Sequence, residues 1–421
     1  MKVRIIPNPV TNTEIRIPSG KSLGHRAIIA ASLAEGTSTI TNLDHSSDID
    51  ATIACMRAWG AEIDFKDDAV VITGTSQGKM VNDALCCEES GSTLRFLIPV
   101  FAMSGKPVKF TGKGRLLQRP LSVYQNLFDE NNLRFVQTGS SVEICGPLQG
   151  KTYVGDGNVS SQFITGLLLA LPLAKEDSVL RIVPPFASKS YVGLTLDVLR
   201  TFGITIEQKD ELTFRIKGNQ KYRPCHYAVE ADDSQAAFWA VLSAYKTPLV
   251  LKGVNPLSKQ ADHAVFRYLE AMGATNTEEN AVSVTAQKMT GTEMDLEDCP
   301  DLGPVLFAAA AMAEGSCHFV HTKRLTIKES DRVEAMRQEL ERFGVRMDVG
   351  EDDVTVYGTA ARQPEAELSG HNDHRIVMAL TIYAVCNDME VVIDGAQAVS
   401  KSYPKFFEDV KSLGIGVEVW E

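Results

Sequence analysis

The stretch Ser19-Gly20-Lys21-Ser22, which opens onto the apolar run Ala27-Ile28-Ile29-Ala30-Ala31, sets a pattern that returns along the chain. Short polar segments followed by small apolar residues recur at intervals of roughly 70 residues, and a repeat on this scale indicates a modular fold. The six polar segments are Ser19–Ser22, Ser90–Thr93, Asn158–Gln162, Asp232–Gln235, Cys299–Gly303 and Asn372–Arg375.

Each polar segment is typical of a helix start. The first N–H groups of a helix have no partner within the helix, and the positive end of the helix dipole lies beside them. Six such starts that met in one place would therefore form a pocket for anions. The pattern predicts a protein that handles phosphate or carboxylate groups.

A second landmark in each repeat is the end of an amphipathic helix. Glycine marks it at positions 60, 203, 273, 344 and 414, and Asn131-Asn132 stands there in the second repeat. Both residue types suit the left-handed conformation that ends many helices. Alternating stretches such as Val354-Thr355-Val356 then predict strands.

One repeat is therefore predicted to run strand, helix, strand, helix, strand, strand. Its first helix is so rich in alanine, leucine and isoleucine that we expect it to be buried. The sequence thus predicts an α/β protein of six strand-helix repeats, with three repeats in each of two domains.

Composition excludes several classes of protein. The chain has 421 residues and a net charge of −12, which argues against broad binding to nucleic acid or to acidic membranes. No window holds the 18 or so apolar residues that span a bilayer. The eight cysteines are scattered, and the pairs His318/His321 and His371/His374 lack further ligands in a metal-binding pattern. We expect a soluble cytoplasmic protein with free thiols and no metal site.

Cations at helix starts are the first functional signal. Lys21 and Arg26 lie beside Ser22 in the first turns of a predicted helix, where positive charge opposes the dipole unless an anion is present. The alternative is that Ser19 is an ordinary cap and the cations reach solvent. The loop Gly112–Pro120 is similarly open to two interpretations, a phosphate clamp that includes Arg119 or a solvated charged loop.

Other segments supply neutral donors and acid–base pairs. Ser160, Ser161, Gln162, Ser188 and Tyr191 carry uncharged donors at helix starts, where simple capping is the alternative role. Lys328 beside Glu329 is a candidate proton-transfer pair, and Asp301 is a candidate general base or a helix cap. Arg332, Arg375 and Lys401 complete the candidate set.

Taken together, these segments resemble the 5-enolpyruvylshikimate-3-phosphate (EPSP) synthase family in order and spacing over the whole chain. The resemblance rests on Lys21-Ser22 with Arg26, Ser90-Gly91-Ser92-Thr93 with Arg95, Arg119-Pro120, Ser160-Ser161-Gln162, Pro300-Asp301, Lys328-Glu329-Ser330-Asp331-Arg332, Asp373-His374-Arg375 and Lys401.

The resemblance implies the two-domain enolpyruvyl transferase fold, with a chain that crosses twice between the domains. Residues 1–19 and 230–421 would form one domain, residues 20–229 the other, and the active site would lie in the cleft between them. The implied enzyme is a monomeric transferase of the shikimate pathway, which leads to chorismate and the aromatic amino acids. Its substrates would be shikimate 3-phosphate and phosphoenolpyruvate, with no cofactor and no metal.

The implied reaction joins the 5-hydroxyl of shikimate 3-phosphate to C2 of phosphoenolpyruvate, and the tetrahedral intermediate then loses phosphate. By resemblance, Asp301 takes the hydroxyl proton, Glu329 protonates the methylene carbon, and Lys21 assists. Shikimate 3-phosphate would be held by Lys21, Ser22, Arg26, Ser160, Ser161, Gln162, Ser188, Tyr191, Asp301 and Lys328. Phosphoenolpyruvate would be held by Lys21, Gly91, Arg119, Gln162, Arg332, Arg375 and Lys401.

The chain departs from the family pattern at three positions. Arg324 stands where asparagine often contacts the shikimate phosphate, Glu89 precedes Ser90 where asparagine-alanine often precedes the glycine, and Phe96 replaces a proline. The resemblance therefore assigns no role to Arg324 or Glu89, and it leaves the response to the inhibitor glyphosate open.

Two alternatives stand beside this interpretation. The sister enolpyruvyl transferase that acts on UDP-N-acetylglucosamine usually has asparagine after the first lysine and often a cysteine in the clamp loop. Here Ser22 follows Lys21, and Gly112–Pro120 contains no cysteine. The other alternative is a binding protein that keeps the fold without catalysis, against which Lys21, Asp301 and Glu329 all argue.

Overall fold

The computed structural model of the chain describes residues 1–66, 69–78, 84–157, 160–186, 188–277 and 282–420. Within these ranges the chain forms 24 strands and 12 α helices. They follow one another as six repeats of strand, helix, strand, helix, strand, strand, so the predicted repeat is confirmed.

The first three repeats contain elements β2 to β13 and α1 to α6. They are β2 Glu14–Arg16, α1 Lys21–Leu33, β3 Gly36–Thr41, α2 Ser47–Trp59, β4 Glu62–Lys66, β5 Ala69–Gly74; β6 Ala84–Cys86, α3 Gly91–Ala102, β7 Pro107–Thr111, α4 Ser122–Glu130, β8 Arg134–Gln137, β9 Val142–Cys145; β10 Thr152–Asp156, α5 Ser161–Ala170, β11 Ser178–Val183, α6 Lys189–Thr201, β12 Ile206–Asp210 and β13 Thr213–Ile216.

The last three repeats contain elements β14 to β24 and α7 to α12, and β1 completes the sixth. They are β14 His226–Ala228, α7 Asp233–Tyr245, β15 Val250–Lys252, α8 Ala264–Ala271, β16 Thr275–Thr277, β17 Val282–Thr285; β18 Glu293–Asp295, α9 Gly303–Met312, β19 Ser316–Val320, α10 Arg332–Arg342, β20 Arg346–Val349, β21 Asp353–Tyr357; β22 Leu368–Ser369, α11 His374–Cys386, β23 Val391–Asp394, α12 Phe406–Ser412, β24 Gly416–Trp420, and β1 Lys2–Ile6.

Each repeat corresponds to one four-stranded sheet. In the second repeat, β6 pairs with β7 in parallel, so that Leu85 lies opposite Phe110. β7 pairs with β9 antiparallel, with Val108 opposite Ile144, and β8 adds to the far side of β9. The parallel pair needs a crossover connection, which α3 supplies.

The first and fourth repeats exchange their first strands. β2 pairs in parallel with β15, where Ile15 lies opposite Leu251. β14 pairs in parallel with β3, where Tyr227 lies opposite Ile40. In the sixth sheet, β1 lies between β23 and β24 and takes the place of the last strand.

The chain divides into two compact units. The continuous unit is Ser19–Glu230, and the split unit is Met1–Pro18 with the chain from Ala231 onward. Three of the six sheets lie in each unit, and each unit has its own hydrophobic core. This is an α/β fold of six repeats, three to a unit.

The first helix of each repeat is buried, as predicted. In α7 every residue from Asp233 to Ala244 is buried, and in α9 every residue from Gly303 to Ala311 is buried. Complete burial of one leucine or isoleucine side chain contributes about 1.5–3 kcal/mol relative to exposure. Because the sides of these helices are packed in the core, polar groups approach them mainly at their ends.

The predicted helix endings are confirmed. The five glycines adopt positive φ angles, and in the second repeat Asn132 takes this role with φ 52°. All eight cysteines are free thiols. Among the residues described, no helix is both long enough and apolar enough to span a membrane.

Candidate functional site

Four of the six predicted helix starts are capped by a side chain. Ser90, Ser160, Asp232 and Asp373 accept hydrogen bonds from the backbone N–H groups of Thr93, Gln162, Ser234 and Arg375. In the fifth segment, Pro300–Leu302 forms a 3-10 turn before α9. Asn158 and Val159 of the third segment lie outside the described residues.

The first helix start is organised differently. The N-cap of α1 is Gly20, which has no side chain to cap with, so capping by Ser19 does not occur. Ser19 instead exchanges two hydrogen bonds with Asp44, each 2.7 Å long. Lys21 is not merely solvated, because its Nζ lies 2.9 Å from Oδ2 of Asp48, the second residue of α2.

Arg26 is a buried cation in α1, with only 2% of its surface exposed. Its guanidinium lies over the ring of Phe96, 4.9 Å from the centroid. Within the described part of the chain, the guanidinium donates only to neutral oxygens: Ser22 O, Thr165 Oγ1 at 3.3 Å, Tyr191 O at 3.1 Å and Thr195 Oγ1 at 2.8 Å. Burial lowers the pKa of Arg26 to about 10. A buried charge with neutral partners is costly, and a bound anion would offset that cost.

Gly91, the first residue of α3, lies against two arginines. A Cβ atom at this position would stand 2.8 Å from Arg119 Nη1 and 3.3 Å from Arg95 Nη1, so only glycine fits without displacing them. Arg95 Nη1 also donates to Gln162 Oε1 at 2.7 Å, and Gln162 Nε2 donates to Ser92 Oγ at 3.0 Å. The starts of α3 and α5 and the loop that carries Arg119 therefore converge.

Ser161 and Ser188 are buried at the starts of α5 and α6. Ser188 is the N-cap residue of α6 and has a left-handed backbone with φ 54°, and its side chain makes no capping bond. Tyr191 is half-buried, and its carbonyl oxygen accepts from Arg26. Simple capping thus describes Ser160 but not Ser188.

Asp301 is the centre of the predicted site residues in the split unit. Its Oδ1 accepts from Lys328 Nζ at 3.1 Å and from Arg332 Nη1 at 2.8 Å. Its Oδ2 accepts from Arg375 Nη2 at 2.9 Å. Burial by itself would raise the pKa of Asp301, but Arg375, Lys328 and Arg332 outweigh it and hold the pKa well below its usual value.

Arg332 joins Asp301 to two further carboxylates. Its Nη2 donates to Glu329 Oε2 at 2.7 Å, and its Nε donates to Asp373 Oδ2 at 2.9 Å. Burial opposes the charge of Arg332, yet Asp373, Glu329 and Asp301 raise its pKa above the ordinary value. Burial lowers the pKa of Lys328 more than the charge of Asp301 raises it.

Lys401 stands at the end of the 3-10 turn Ala396–Lys401 and is buried. Its Nζ donates to the carbonyl oxygen of Asn372 at 2.6 Å, just before α11. It therefore lies close to the helix start that carries Arg375. In the split unit, three cations face Asp301, Glu329 and Asp373, and Lys401 adds a further positive charge.

Sequence reasoning assigned no role in the site to several residues that support these groups. Arg95 interrupts the apolar run of α3, and that interruption was a usable signal. Asp48, Asp373 and Ser234 read as ordinary residues of helix starts. Their contacts to Lys21, Arg332 and Arg375 join distant parts of the chain, so no local pattern reveals them.

The three departures from the family pattern each have a definite place. Arg324 lies in a 3-10 turn and donates from Nη1 to the carbonyl oxygen of Glu297 at 3.1 Å. Glu89 packs against Gly114 of the charged loop. Phe96 lies beneath the Arg26 guanidinium, which gives that buried cation an aromatic neighbour.

A group of potential metal ligands lies on the surface of the split unit. Asp295, Glu297 and His321 place one ligand atom each within 4.8 Å of one another. His321 Nδ1 lies 2.8 Å from Asp295 Oδ1, and this bond raises the pKa of His321. Asp295 and His321 are exposed, and Glu297 between them is half-buried.

Comparison with known proteins adds an independent line of evidence. The family model described as EPSP synthase (3-phosphoshikimate 1-carboxyvinyltransferase) matches residues 7–410. A 3-phosphoshikimate 1-carboxyvinyltransferase of Clostridium kluyveri is 40% identical over 415 residues, which are 97% of this chain and 96% of that protein. One of Clostridium perfringens is 40% identical over 418 residues, 98% of each chain.

Solved structures are similar over the whole length. An EPSP synthase from Acinetobacter baumannii has a TM-score of 0.82 and 26% identity, and it covers 100% of both chains. The enolpyruvyl transferase NikO from Streptomyces tendae has a TM-score of 0.79, covers 99% of this chain and 98% of its own, and is 17% identical. At that identity, the second likeness concerns the fold alone.

Proposed function

Because this chain belongs to the EPSP synthase family, it transfers the enolpyruvyl group of phosphoenolpyruvate to shikimate 3-phosphate in the shikimate pathway, and we propose how its residues divide that task. The observation that carries the proposal is the environment of Asp301, whose carboxylate is paired with Lys328, Arg332 and Arg375. Arg332 is also paired with Glu329 and so connects the two carboxylates.

Shikimate 3-phosphate is held mainly by residues of the continuous unit. The neutral partners of the buried Arg26 support this role, since a phosphate dianion supplies the counter-charge that its hydrogen-bond partners among the described residues do not. The residues proposed to hold it are Lys21, Ser22, Arg26, Ser160, Ser161, Gln162, Ser188 and Tyr191, with Asp301 and Lys328.

Phosphoenolpyruvate is held by cations together with one glycine. The absence of a side chain at Gly91 lets an anion approach the first N–H groups of α3 beside Arg119. The residues proposed to hold it are Lys21, Gly91, Arg119, Gln162, Arg332, Arg375 and Lys401.

The chemistry needs one base and one acid. As the 5-hydroxyl oxygen bonds to C2 of phosphoenolpyruvate, its proton passes to Asp301 while Glu329 gives a proton to the methylene carbon. The tetrahedral intermediate then loses phosphate: the Glu329 carboxylate takes a proton from the new methyl group as the double bond forms again, and the proton held by Asp301 passes to the departing phosphate. Lys21 balances negative charge during both steps.

The charges around Asp301 support its role as the base. With three cations close by, its pKa is depressed and its basicity is weak. Anionic substrate that binds the same cations offsets part of their field, and the pKa of Asp301 rises as a result. The base is thus strengthened when the substrate is in place.

The enzyme is further proposed to act as a monomer in the cytoplasm, with residues 1–19 plus 230–421 and residues 20–229 as its two domains. Light scattering coupled to gel filtration tests the first point. A mass near 45.9 kDa supports the monomer, and a multiple of it contradicts it.

Phosphate release from phosphoenolpyruvate by the purified chain tests the reaction. One sample contains shikimate 3-phosphate and a second contains UDP-N-acetylglucosamine. We expect release only with shikimate 3-phosphate. Release only with the nucleotide sugar would assign the sister reaction instead, and release with neither would leave a binding protein with this fold.

A further inference from the structure

Ser234 is a buried serine in the second position of α7, and its hydroxyl lies between two charged groups. Arg375 donates a hydrogen bond from Nη2 to Ser234 Oγ at 3.0 Å. The same hydroxyl is bonded to Oδ1 of Asp232, the residue that caps α7. Ser234 therefore connects a helix cap to a guanidinium of the candidate site.

The direction of these hydrogen bonds follows from the chemistry of the three groups. A guanidinium has no acceptor, so Arg375 must donate. A carboxylate has no hydrogen, so Ser234 must donate to Asp232. The Ser234 hydroxyl uses its one hydrogen in the bond to Asp232, so its oxygen can only accept the hydrogen bond from Arg375.

The support behind Ser234 is rigid. Oδ1 of Asp232 also accepts from the backbone N–H of Ser234 at 3.0 Å, and the backbone N–H of Asp232 donates to the carbonyl oxygen of Pro18 at 2.8 Å. The helix that follows is buried from Asp233 to Ala244. The hydroxyl is thus a fixed reference point for the guanidinium.

Among the described residues, the guanidinium of Arg375 has two other hydrogen bonds, both to Asp301. Its Nη2 donates to Oδ2 at 2.9 Å, and its Nη1 donates to the carbonyl oxygen at 3.2 Å. Its Nε is buried and has no partner among the described residues. Burial would lower the pKa of Arg375, but the charge of Asp301 raises it above the ordinary value, so the side chain stays charged. Ser234 therefore affects the orientation of the guanidinium and not its charge.

We infer that Ser234 is a positioning residue for Arg375: its hydroxyl keeps the guanidinium from turning wholly to Asp301 and holds it ready for phosphoenolpyruvate. This inference rests on the part given to Arg375 in the proposed function. Without Ser234, Asp301 is the one described acceptor left for Nη2. Binding phosphoenolpyruvate then requires the guanidinium to be drawn back from that carboxylate.

The test is the Ser234→Ala variant of the full chain, assayed by phosphate release against phosphoenolpyruvate concentration at saturating shikimate 3-phosphate. We expect KM for phosphoenolpyruvate to rise by about three- to tenfold, since a hydrogen bond to a charged group is lost. We expect kcat to change by less than about twofold. Ser234→Thr keeps the hydroxyl and should keep KM close to that of the parent.

Ser243 provides a matched control in the same helix. It is also buried and also makes two hydrogen bonds, to the carbonyl oxygen of Val284 at 2.6 Å and from the N–H of Leu249 at 2.8 Å. Ser243→Ala should lower the melting temperature and leave KM for phosphoenolpyruvate unchanged. An equal rise of KM in this variant would show that α7 is merely loosened and would overturn the inference.

Arg375→Lys separates this inference from the function on which it rests. An unchanged KM for phosphoenolpyruvate in Arg375→Lys would contradict the part given to Arg375. A raised KM there, with a normal KM in Ser234→Ala, would overturn the role of Ser234 alone. If both are right, adding Ser234→Ala to Arg375→Lys changes KM little further. Should Ser234→Ala fail to fold, Ser234→Cys supplies the comparison, because a thiol is a weak acceptor and an intermediate KM is expected.

Discussion

Arg332 is bound by three carboxylates, so the loss of one of them does not leave it unpaired. In Glu329→Gln, Asp301 and Asp373 still accept from Arg332 at 2.8 and 2.9 Å. The amide keeps the shape of the side chain but cannot deliver a proton to carbon. We expect kcat to fall by at least about a hundredfold, as for the loss of a general acid, while the circular dichroism spectrum is retained.

Glu334→Gln is the matched control for this prediction. Glu334 pairs with Arg337 on a partly exposed face of α10, and neither residue belongs to the proposed site. Neutralising it should leave kcat unchanged and alter stability by less than about 1 kcal/mol. Full phosphate release by Glu329→Gln would remove Glu329 from the mechanism.

His25 predicts a pH effect on stability. It is fully buried, and its Nδ1 lies 2.7 Å from Thr52 Oγ1. Burial, reinforced by Lys21 and Arg26, holds its pKa well below 6.5. Below pH 6.5 the unfolded chain therefore takes up a proton that the folded chain does not, and stability falls as the pH falls.

His25→Asn should remove this dependence. The amide can still bond to Thr52, but it does not titrate. Urea unfolding at several pH values between about 5 and 7 should show a slope lower by up to about 1.4 kcal/mol per pH unit than in the parent. Equal slopes in the two proteins would mean that His25 takes up its proton over the same pH range in the folded chain as in the unfolded chain.

At the scale of the elements, substitution by alanine is predicted to have opposite effects on stability at two helix glycines. A methyl group at Gly166 in α5 would overlap the Tyr124 hydroxyl and the carbonyl oxygen of Arg95. At Gly193 in α6, nothing lies within 4 Å of the same position. We expect Gly166→Ala to destabilise by about 1–3 kcal/mol through overpacking, and Gly193→Ala to stabilise by up to about 1 kcal/mol through helix propensity.

Chemical denaturation of both variants measures the difference. Helix propensity favours alanine equally in α5 and α6. If the two substitutions change the free energy of unfolding with opposite signs, the difference is therefore due to the close approach of α5 to its neighbours. A stabilised Gly166→Ala would show that this contact relaxes without cost.

The order of the elements was predictable from the sequence, but the pairing of two strands was not. Helix starts and endings are local, so residues such as Asp373 and Asn132 reveal them. The exchange of β2 and β14 is not local. Both are three-residue strands that place one central apolar residue, Ile15 or Tyr227, beside a parallel partner, and either could serve β3 or β15. Nothing in their composition decides between the two arrangements.

The candidate site, too, was predictable from the sequence only in part. Arg26 and Arg375 stand out because a cation at a helix start is unfavourable without an anion. The supporting contacts do not stand out, because Asp373 meets Arg332 across 41 residues and Ser234 meets Arg375 across 141. Such contacts depend on how the buried helices pack, and periodicity carries no information about that.

At the scale of the whole molecule, the continuous unit should fold alone. Its two ends are already joined, because the N–H of Gly20 donates to the carbonyl oxygen of Glu230 at 2.7 Å. Its three sheets use only strands from its own residues. We expect residues 19–230, expressed separately, to unfold cooperatively on heating and to show no phosphate release, since Asp301 and Glu329 are missing. A molten, non-cooperative transition would contradict this.

The position of β1 has a consequence for how the protein is made. This strand, with the buried Val3 and Ile5, lies between β23 and β24. A ribosome synthesises β1 before its two partners, which follow every other described strand. The continuous unit, by contrast, has all of its strands once Glu230 has emerged. During translation, the strands of the continuous unit are therefore all available while the apolar strand β1 still lacks both of its partners.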